Sequence, residues 1–368
     1  MNSCLLVPTL EEALQFPKGN ICLGFCATCG FISNVLFDAR LLTYSSQYEE
    51  TQGFSPRFNA FAESLARRLI DRYDLHGKSV LEIGCGKGEF LALLCEIGDN
   101  TGIGIDPAYV PGRISHAAEA RIRFITDFYS EDYANIEADF VCCRHTLEHI
   151  HPTREFLQSV RRSLGDRRDT IVFFEVPDVQ RVMQELAFWD IYYEHCSYFS
   201  LGSLARLFRS CGFDVLDLAK DFDDQYLLIE TRLSSDASLS SRPEEDDRIA
   251  LARDVSYFET HLADKLDEWR NQLNNVVAQG QRAVLWGSGS KAVAYLNSLN
   301  IVDEIEFVVD INPFKHGKYL AGSGHLVVPP EFLQDYRPDV VIVMNPIYVQ
   351  EIEAQLATLG VPARVVAV

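Results

Sequence analysis

The 368-residue sequence predicts an α/β protein with two strand–turn–helix–strand units behind a small cysteine-containing N-terminal segment. Three observations carry this reading. The stretch SVLEIGCGKGEFLALLCEIGDNTGIGID, residues 79–106, sets an apolar strand, a glycine-rich turn, a helix and a second strand ending in an acid in direct succession. The same order returns between Ala283 and Asp310 as AVLW, GSGSK and FVVD. Between the two lies SSDASLSSRPEEDD, a polar stretch that reads as a linker, followed by a long helical segment.

The elements follow in order. Residues 1–53 form the N-terminal unit, with one close cysteine pair, Cys26-Ala-Thr-Cys29. A core domain, 54–235, opens on a helix from Ser55 to Tyr73 with Phe58, Phe61, Leu65 and Leu69 along one face. Val80 to Ile83 suits a buried parallel strand, and Gly84, Gly86 and Gly88 permit a tight turn and close approach of a ligand to the backbone. Phe90, Leu91, Leu93, Leu94 and Ile97 recur at near-helical spacing, so free helix N–H groups point at that ligand. Thr101 to Ile105 is the second strand, and Asp106 at its end is placed to accept hydrogen bonds from ribose hydroxyls.

Ile122 to Ile125 is predicted as the third strand, ending at Asp127 and Phe128, an acid and an aromatic suited to an adenine edge and face. Ala138 to Cys142 is the fourth, which brings His145 to the carboxyl ends of the strands, where ligands bind such sheets. Thr170 to Glu175 is the fifth. After it, Y-Y-E-H-C-S-Y-F at 192–199 concentrates a base, an acid and three phenols. Residues 236–280 hold the linker and a helix from about Arg248 to Val277, and 281–368 the second α/β unit, with strands Ala283–Trp286, Phe307–Val309 and Val340–Val343. Lys291 at a predicted helix start suits an anion.

Composition narrows the function. A net charge of −20 disfavours binding to nucleic-acid backbones. No apolar run of membrane length occurs, and the N-terminus lacks a basic start and a signal-like apolar block, so a cytoplasmic protein with no membrane partner is expected. Ten cysteines in such a chain read as free thiols or metal ligands. The dinucleotide fingerprint wants a third glycine where this chain has Glu89, so a pyrophosphate is not the expected guest.

The glycine spacing, Glu82 and Asp106 instead resemble motifs I and II of class I S-adenosylmethionine (SAM) methyltransferases, whose cationic cofactor favours local acids. The resemblance extends over nearly the whole chain. H-T-L-E-H at 145–149, the 192–199 cluster, L-A-R-L-F-R-S-C-G-F at 204–213, G-S-G-S-K at 287–291, V-D-I-N-P-F-K-H-G-K-Y-L-A-G at 309–322 and R-P-D-V-V-I-V at 337–343 are similar to the three-domain sugar C-methyltransferases of deoxysugar biosynthesis. Those enzymes have a zinc-binding N-terminal domain, a SAM-binding Rossmann-like core and a C-terminal Rossmann-like domain. For this chain the resemblance implies SAM as cofactor and a small-molecule substrate, a sugar nucleotide by class. It makes His195 the base that removes a proton from carbon beside a ketone, Tyr192 the donor to the enolate oxygen, and Glu194 the residue orienting one of them. A neutral imidazole is available because its ordinary pKa is about 6.5, and a phenol aimed at an oxyanion adds stabilisation.

It also implies that Tyr44 or Tyr48 reaches the cofactor, that Tyr198 and Lys291 serve the substrate, and that Cys4, Cys22, Cys26 and Cys29 are the available zinc ligands, with only the second C-x₂-C pair intact. Two departures stand out. Tyr193 replaces a histidine of the relatives, and Asp223-Asp224-Gln225 replaces their G-G-S turn, where two carboxylates facing a diphosphate would repel it. O- or N-methylation of another small metabolite, and a non-catalytic SAM- or nucleotide-binding protein, remain as alternatives.

Overall fold

The computed structural model describes residues 3–235 and 239–368, so positions 236–238 of the predicted linker lie outside the described residues. The N-terminal unit contains α1 (Leu10–Leu14), β1 (Leu23–Phe25) and β2 (Ile32–Asn34). The core follows as α2 (Pro56–Tyr73), β3 (Ser79–Ile83), α3 (Glu89–Gly98), β4 (Thr101–Ile105), α4 (His116–Glu119), β5 (Ile122–Ile125), β6 (Phe140–Arg144) and α5 (Thr153–Leu164). It continues through β7 (Ile171–Pro177), α6 (Val179–Glu185), β8 (Ser197–Tyr198), α7 (Leu201–Ser210), β9 (Phe213–Asp221) and β10 (Tyr226–Leu233). Helix α8 (Arg248–Ala278) leads to β11 (Ala283–Trp286), α9 (Ser290–Leu299), β12 (Ile305–Val309), β13 (Leu326–Val328), α10 (Leu333–Tyr336), β14 (Val340–Val343), α11 (Val349–Leu359) and β15 (Arg364–Ala367).

The core sheet has the order β5-β4-β3-β6-β7-β10-β9, parallel up to β7, with β10 antiparallel to both neighbours. The strand order, not the strand direction, reverses between β3 and β6, which opens a crevice at the strand ends above the glycine turn. Strand β6 starts two residues later than the apolar run suggests. The Asp139 carboxylate accepts from Ser79 N and Oγ, both at 2.9 Å, so pairing begins only at Val80 opposite Phe140.

The second sheet, β13-β12-β11-β14-β15, is parallel throughout. The 31 residues of α8 span about 46 Å and join the two halves. One apolar core runs from Val182, Met183 and Trp189 through Trp269 and Leu273 to Leu285 and Tyr295, so the halves share buried surface. The N-terminal hairpin forms a third, three-stranded sheet with β8. Its β2 pairs with β8, Ile32 opposite Tyr198, and therefore grips the chain just beyond His195. Among the described residues no helix is long and apolar enough to cross a membrane.

Candidate active site

A cavity of about 720 Å³ lies where the carboxyl ends of β3, β4, β6 and β7 face those of β11 and β14. The glycine turn forms one wall. Gly84, Gly86 and Gly88 all have positive φ, and a side-chain carbon on Gly86 would come within 2.6 Å of Glu50 Oε1. Gly88 serves packing instead, since the same atom there would meet Phe124 at 2.6 Å. Asp106 shapes the turn: Oδ2 accepts from Gly86 N at 2.8 Å and Oδ1 from Ala108 N at 2.6 Å. It therefore faces the cavity with part of its acceptor capacity already used.

Glu82 is buried in the same wall, its Oε2 has no protein partner, and burial pushes its carboxyl up to about 8. An orphaned acid beside a turn with no room for side chains fits a cationic ligand that comes close to the backbone. SAM is such a ligand, and Glu82, Gly84, Gly86 and Asp106 are the residues that would hold it.

The turn also contains a residue that sequence reasoning missed. Lys87, with a fully buried side chain, donates from Nζ to the carbonyls of Tyr48 and Ala108, both at 2.7 Å, and reaches Glu50 at 3.3 Å. It bolts the Tyr44–Glu50 segment over the turn. A lysine among glycines resembles an exposed residue in sequence, and nothing in its spacing signals this. Tyr48 is buried against Cys4, Ala108 and Tyr44, and both tyrosines line the cavity. Phe128 also lines it, 59% exposed, whereas Asp127 does not. Asp127 turns to solvent and accepts from Phe128 N at 2.8 Å and Tyr133 OH at 2.5 Å, which removes it from the expected adenine contact.

Beside the turn, where Thr146 packs on Gly84, begins a cluster of imidazoles. His195 is 5% exposed, with its ring 4.1 Å from that of Tyr192 and 4.7 Å, edge-on, from that of His149. Burial, with the neighbouring His149, His145 and Lys291, holds its pKa well below the ordinary value, so the ring is neutral. His145, at φ 48°, lines the cavity as expected. Burial disfavours its charge, but Glu175 at 2.7 Å and Glu148 at 3.7 Å outweigh that and raise it to about 9. Glu175 is likewise disfavoured by burial, yet Arg144, at 2.9 and 3.1 Å, and His145 bring it down to about 2. His149 Nδ1 lies 2.9 Å from Tyr44 OH. Glu148 and His149 sit in the H-T-L-E-H motif from which sequence reasoning took only His145; their spacing, three and four residues on, was the available signal.

Several expectations are corrected. Glu194 orients neither Tyr192 nor His195; it accepts from Ser3 N at 3.0 Å, from Ser3 Oγ, and from Ser290 Oγ at 3.3 Å. Tyr198 is outside the cavity wall, its OH donating to the Tyr192 carbonyl at 3.3 Å. Lys291 lines the cavity but is ion-paired with Asp190, so it is no free anion site. Asp223 and Asp224 are exposed at a hairpin tip away from the cavity, and only Gln225 turns in, exchanging two amide hydrogen bonds with Asn345 at 3.0 and 2.9 Å.

The four cysteines do not gather. Cys22 and Cys26 are exposed on the hairpin, whereas Cys4 is buried with Sγ 3.2 Å from Ser290 Oγ. Among the described residues, only Glu148, His149 and His195 bring three ligand-type atoms within 4.8 Å of one another.

The sheet order and the acid-walled glycine turn define a class I SAM-dependent methyltransferase core, and the chain matches a methyltransferase domain over residues 57–218. It is a SAM-dependent methyltransferase. Residues 232–362 match a C-methyltransferase C-terminal domain. C-methyltransferase NovU of Streptomyces niveus is 29% identical over 304 residues, which cover 78% of this chain and 72% of that protein. Among solved structures, the chain is similar to 1,6-didemethyltoxoflavin-N1-methyltransferase of Burkholderia thailandensis, at 18% identity over 47% of this chain and 79% of that one, TM-score 0.37. It is also similar to magnesium protoporphyrin IX methyltransferase of Synechocystis PCC 6803, at 15% identity, 48% and 84% coverage and TM-score 0.37.

Proposed function

We propose that the enzyme methylates a carbon beside the ketone of a nucleotide-linked deoxysugar in the cytoplasm. The observation that carries this reading is His195, buried with its ring 4.1 Å from that of Tyr192, in the cavity that the core shares with a C-methyltransferase C-terminal domain, where burial disfavours its charged form. A ring held neutral can take a proton at physiological pH, and a positioned base contributes about 10²–10⁴-fold. His195 takes the α-proton, the C–H electron pair remains on the substrate as an enolate, and the Tyr192 phenol donates a hydrogen bond to the enolate oxygen. SAM, when bound, would supply the methyl group to the enolate carbon and leave as the thioether. The repulsion expected from Asp223 and Asp224 is absent, since both stand away from the cavity. No zinc role follows from the dispersed cysteines.

The test is incubation with SAM and a panel of nucleotide-linked keto-deoxysugars in D₂O. The reading requires deuterium entry at the α-carbon, carbon methylation, and loss of both by about 10²-fold or more in His195→Ala. Methylation of oxygen or nitrogen without α-carbon exchange would overturn it.

A further inference from the structure

His195 has no carboxylate from its own segment, because Ser3 and Ser290 occupy Glu194. The carboxylate that does face it is Glu148, with Oε1 3.9 Å from His195 Nε2. Glu148 is 1% exposed, and neither of its oxygens accepts a hydrogen bond. A buried acid left so costs stability unless it has a charge to balance. Its partner is His145, Nδ1 3.7 Å from the same oxygen, and behind His145 stand Glu175 at 2.7 Å and Arg144. Along the cavity wall the groups therefore run imidazole, carboxylate, imidazole, carboxylate, guanidinium, with only the second carboxylate, Glu175, set back from the lining. The other groups facing His195 are His149, Tyr192 and Tyr198 by ring contact and Lys291 through its charge, the last already paired with Asp190.

Resting on the proposed base role of His195, we propose that Glu148 is the positioning residue of that base. With no hydrogen bond between them it acts by charge: it favours the resting tautomer whose proton is on Nε2, the nitrogen 3.9 Å from its Oε1, and it stabilises the imidazolium formed when Nδ1 takes the substrate proton. The C–H bond breaks, an N–H bond forms on Nδ1, the electron pair goes to the new C–C bond, and the ring returns its proton to solvent after turnover. The arrangement is the carboxylate–imidazole logic of hydrolytic triads applied to a carbon acid, with the two ring nitrogens exchanged. The buried ring and the carboxylate group 3.9 Å away are complementary: burial keeps the base free, and Glu148 limits the cost of charging it.

The experiment is histidine ¹⁵N NMR on the full chain, as wild type, Glu148→Gln, Glu148→Asp and Glu194→Gln, without substrate. Wild type is expected to show His195 as the Nε2–H tautomer at pH 7 and His145 charged. In Glu148→Gln, the proton affinity of His145 falls about tenfold and the His195 tautomer preference is lost. Glu148→Asp recovers both in part, which separates charge from misfolding, and Glu194→Gln changes neither. The proposal is overturned if Glu148→Gln leaves both rings unchanged, if Glu194→Gln reproduces its effect, or if His149 and His195 carry a stoichiometric metal ion in the purified protein. Because no substrate enters, this result and the methyl-transfer assay can fail independently.

Discussion

The chain builds the same strand–glycine turn–helix–strand–acid unit twice, and the two acids meet opposite fates. Asp106 in the core clamps Gly86 N and Ala108 N, yet burial dominates and raises its carboxyl above the ordinary value. Asp310 in the C-terminal unit is also disfavoured by burial, but Lys315 at 3.3 Å together with hydrogen bonds from Ser288 Oγ, Ser288 N at 2.9 Å and Asn312 N at 2.8 Å outweighs it and lowers the carboxyl. The core turn has a lysine too. Lys87, however, is committed to Tyr48, Ala108 and Glu50, and Glu82 nearby has an oxygen with no partner. One unit is left with uncompensated acid and suits a cation; the other is neutral within itself. The shared motif makes a turn, and the local charge balance decides what the turn can hold.

Glycine substitution breaks the comparison most sharply. Gly86→Ala puts a side chain against Glu50 at a positive φ, whereas Gly289 has no atom within 4 Å of the equivalent carbon and a negative φ. SAM affinity should fall about hundredfold or more in Gly86→Ala and stay unchanged in Gly289→Ala, read by calorimetry. The acids come next. Asp106→Ala frees two backbone donors of the turn and should weaken SAM about tenfold. Asp310→Ala should leave SAM affinity intact and lower unfolding free energy by about 2 kcal/mol, read by urea denaturation.

Protonation sharpens the contrast further. Glu82, near 8 without ligand, prefers to be ionised beside a cation, so binding releases a proton below that pH. SAM affinity should therefore rise with pH up to about 8 and level off, and Glu82→Gln should remove the slope; a pH-independent affinity in the wild type would remove Glu82 from the site. The smallest effect belongs to the hairpin. Replacing exposed Cys26 and half-buried Cys29 with serine should change stability by no more than about 0.5 kcal/mol, and chelators should leave the melting temperature where it was. A large loss would restore a metal to the N-terminal unit.

Much of the fold was readable because periodicity and turn chemistry are local. Thr101–Ile105, Ile122–Ile125, Ala283–Trp286 and Val340–Val343 occupy the strands expected of them, and Ser55 caps α2 as its position before Pro56 suggests. The glycine turn, Glu82, His145, Tyr192 and His195 converge on one cavity because strand ends converge there. What sequence did not reveal depends on long-range pairing. Nothing near Glu194 announces that Ser3 will take its carboxylate across 191 positions, and nothing near Lys291 announces Asp190. Lys87 is ordinary in sequence, and only burial and the company of distant groups give it a role; Glu148 has His145 three residues back as a local signal, but the fold alone brings it to His195.

The central claim is that the core turn, and not its C-terminal copy, holds SAM. Calorimetric titration of wild type, Gly86→Ala and Gly289→Ala with SAM, and with NAD in parallel, tests it most directly. One saturable SAM site is expected in wild type and Gly289→Ala, with its loss in Gly86→Ala and no NAD binding. Binding of NAD without SAM, or SAM binding indifferent to Gly86→Ala, would contradict it.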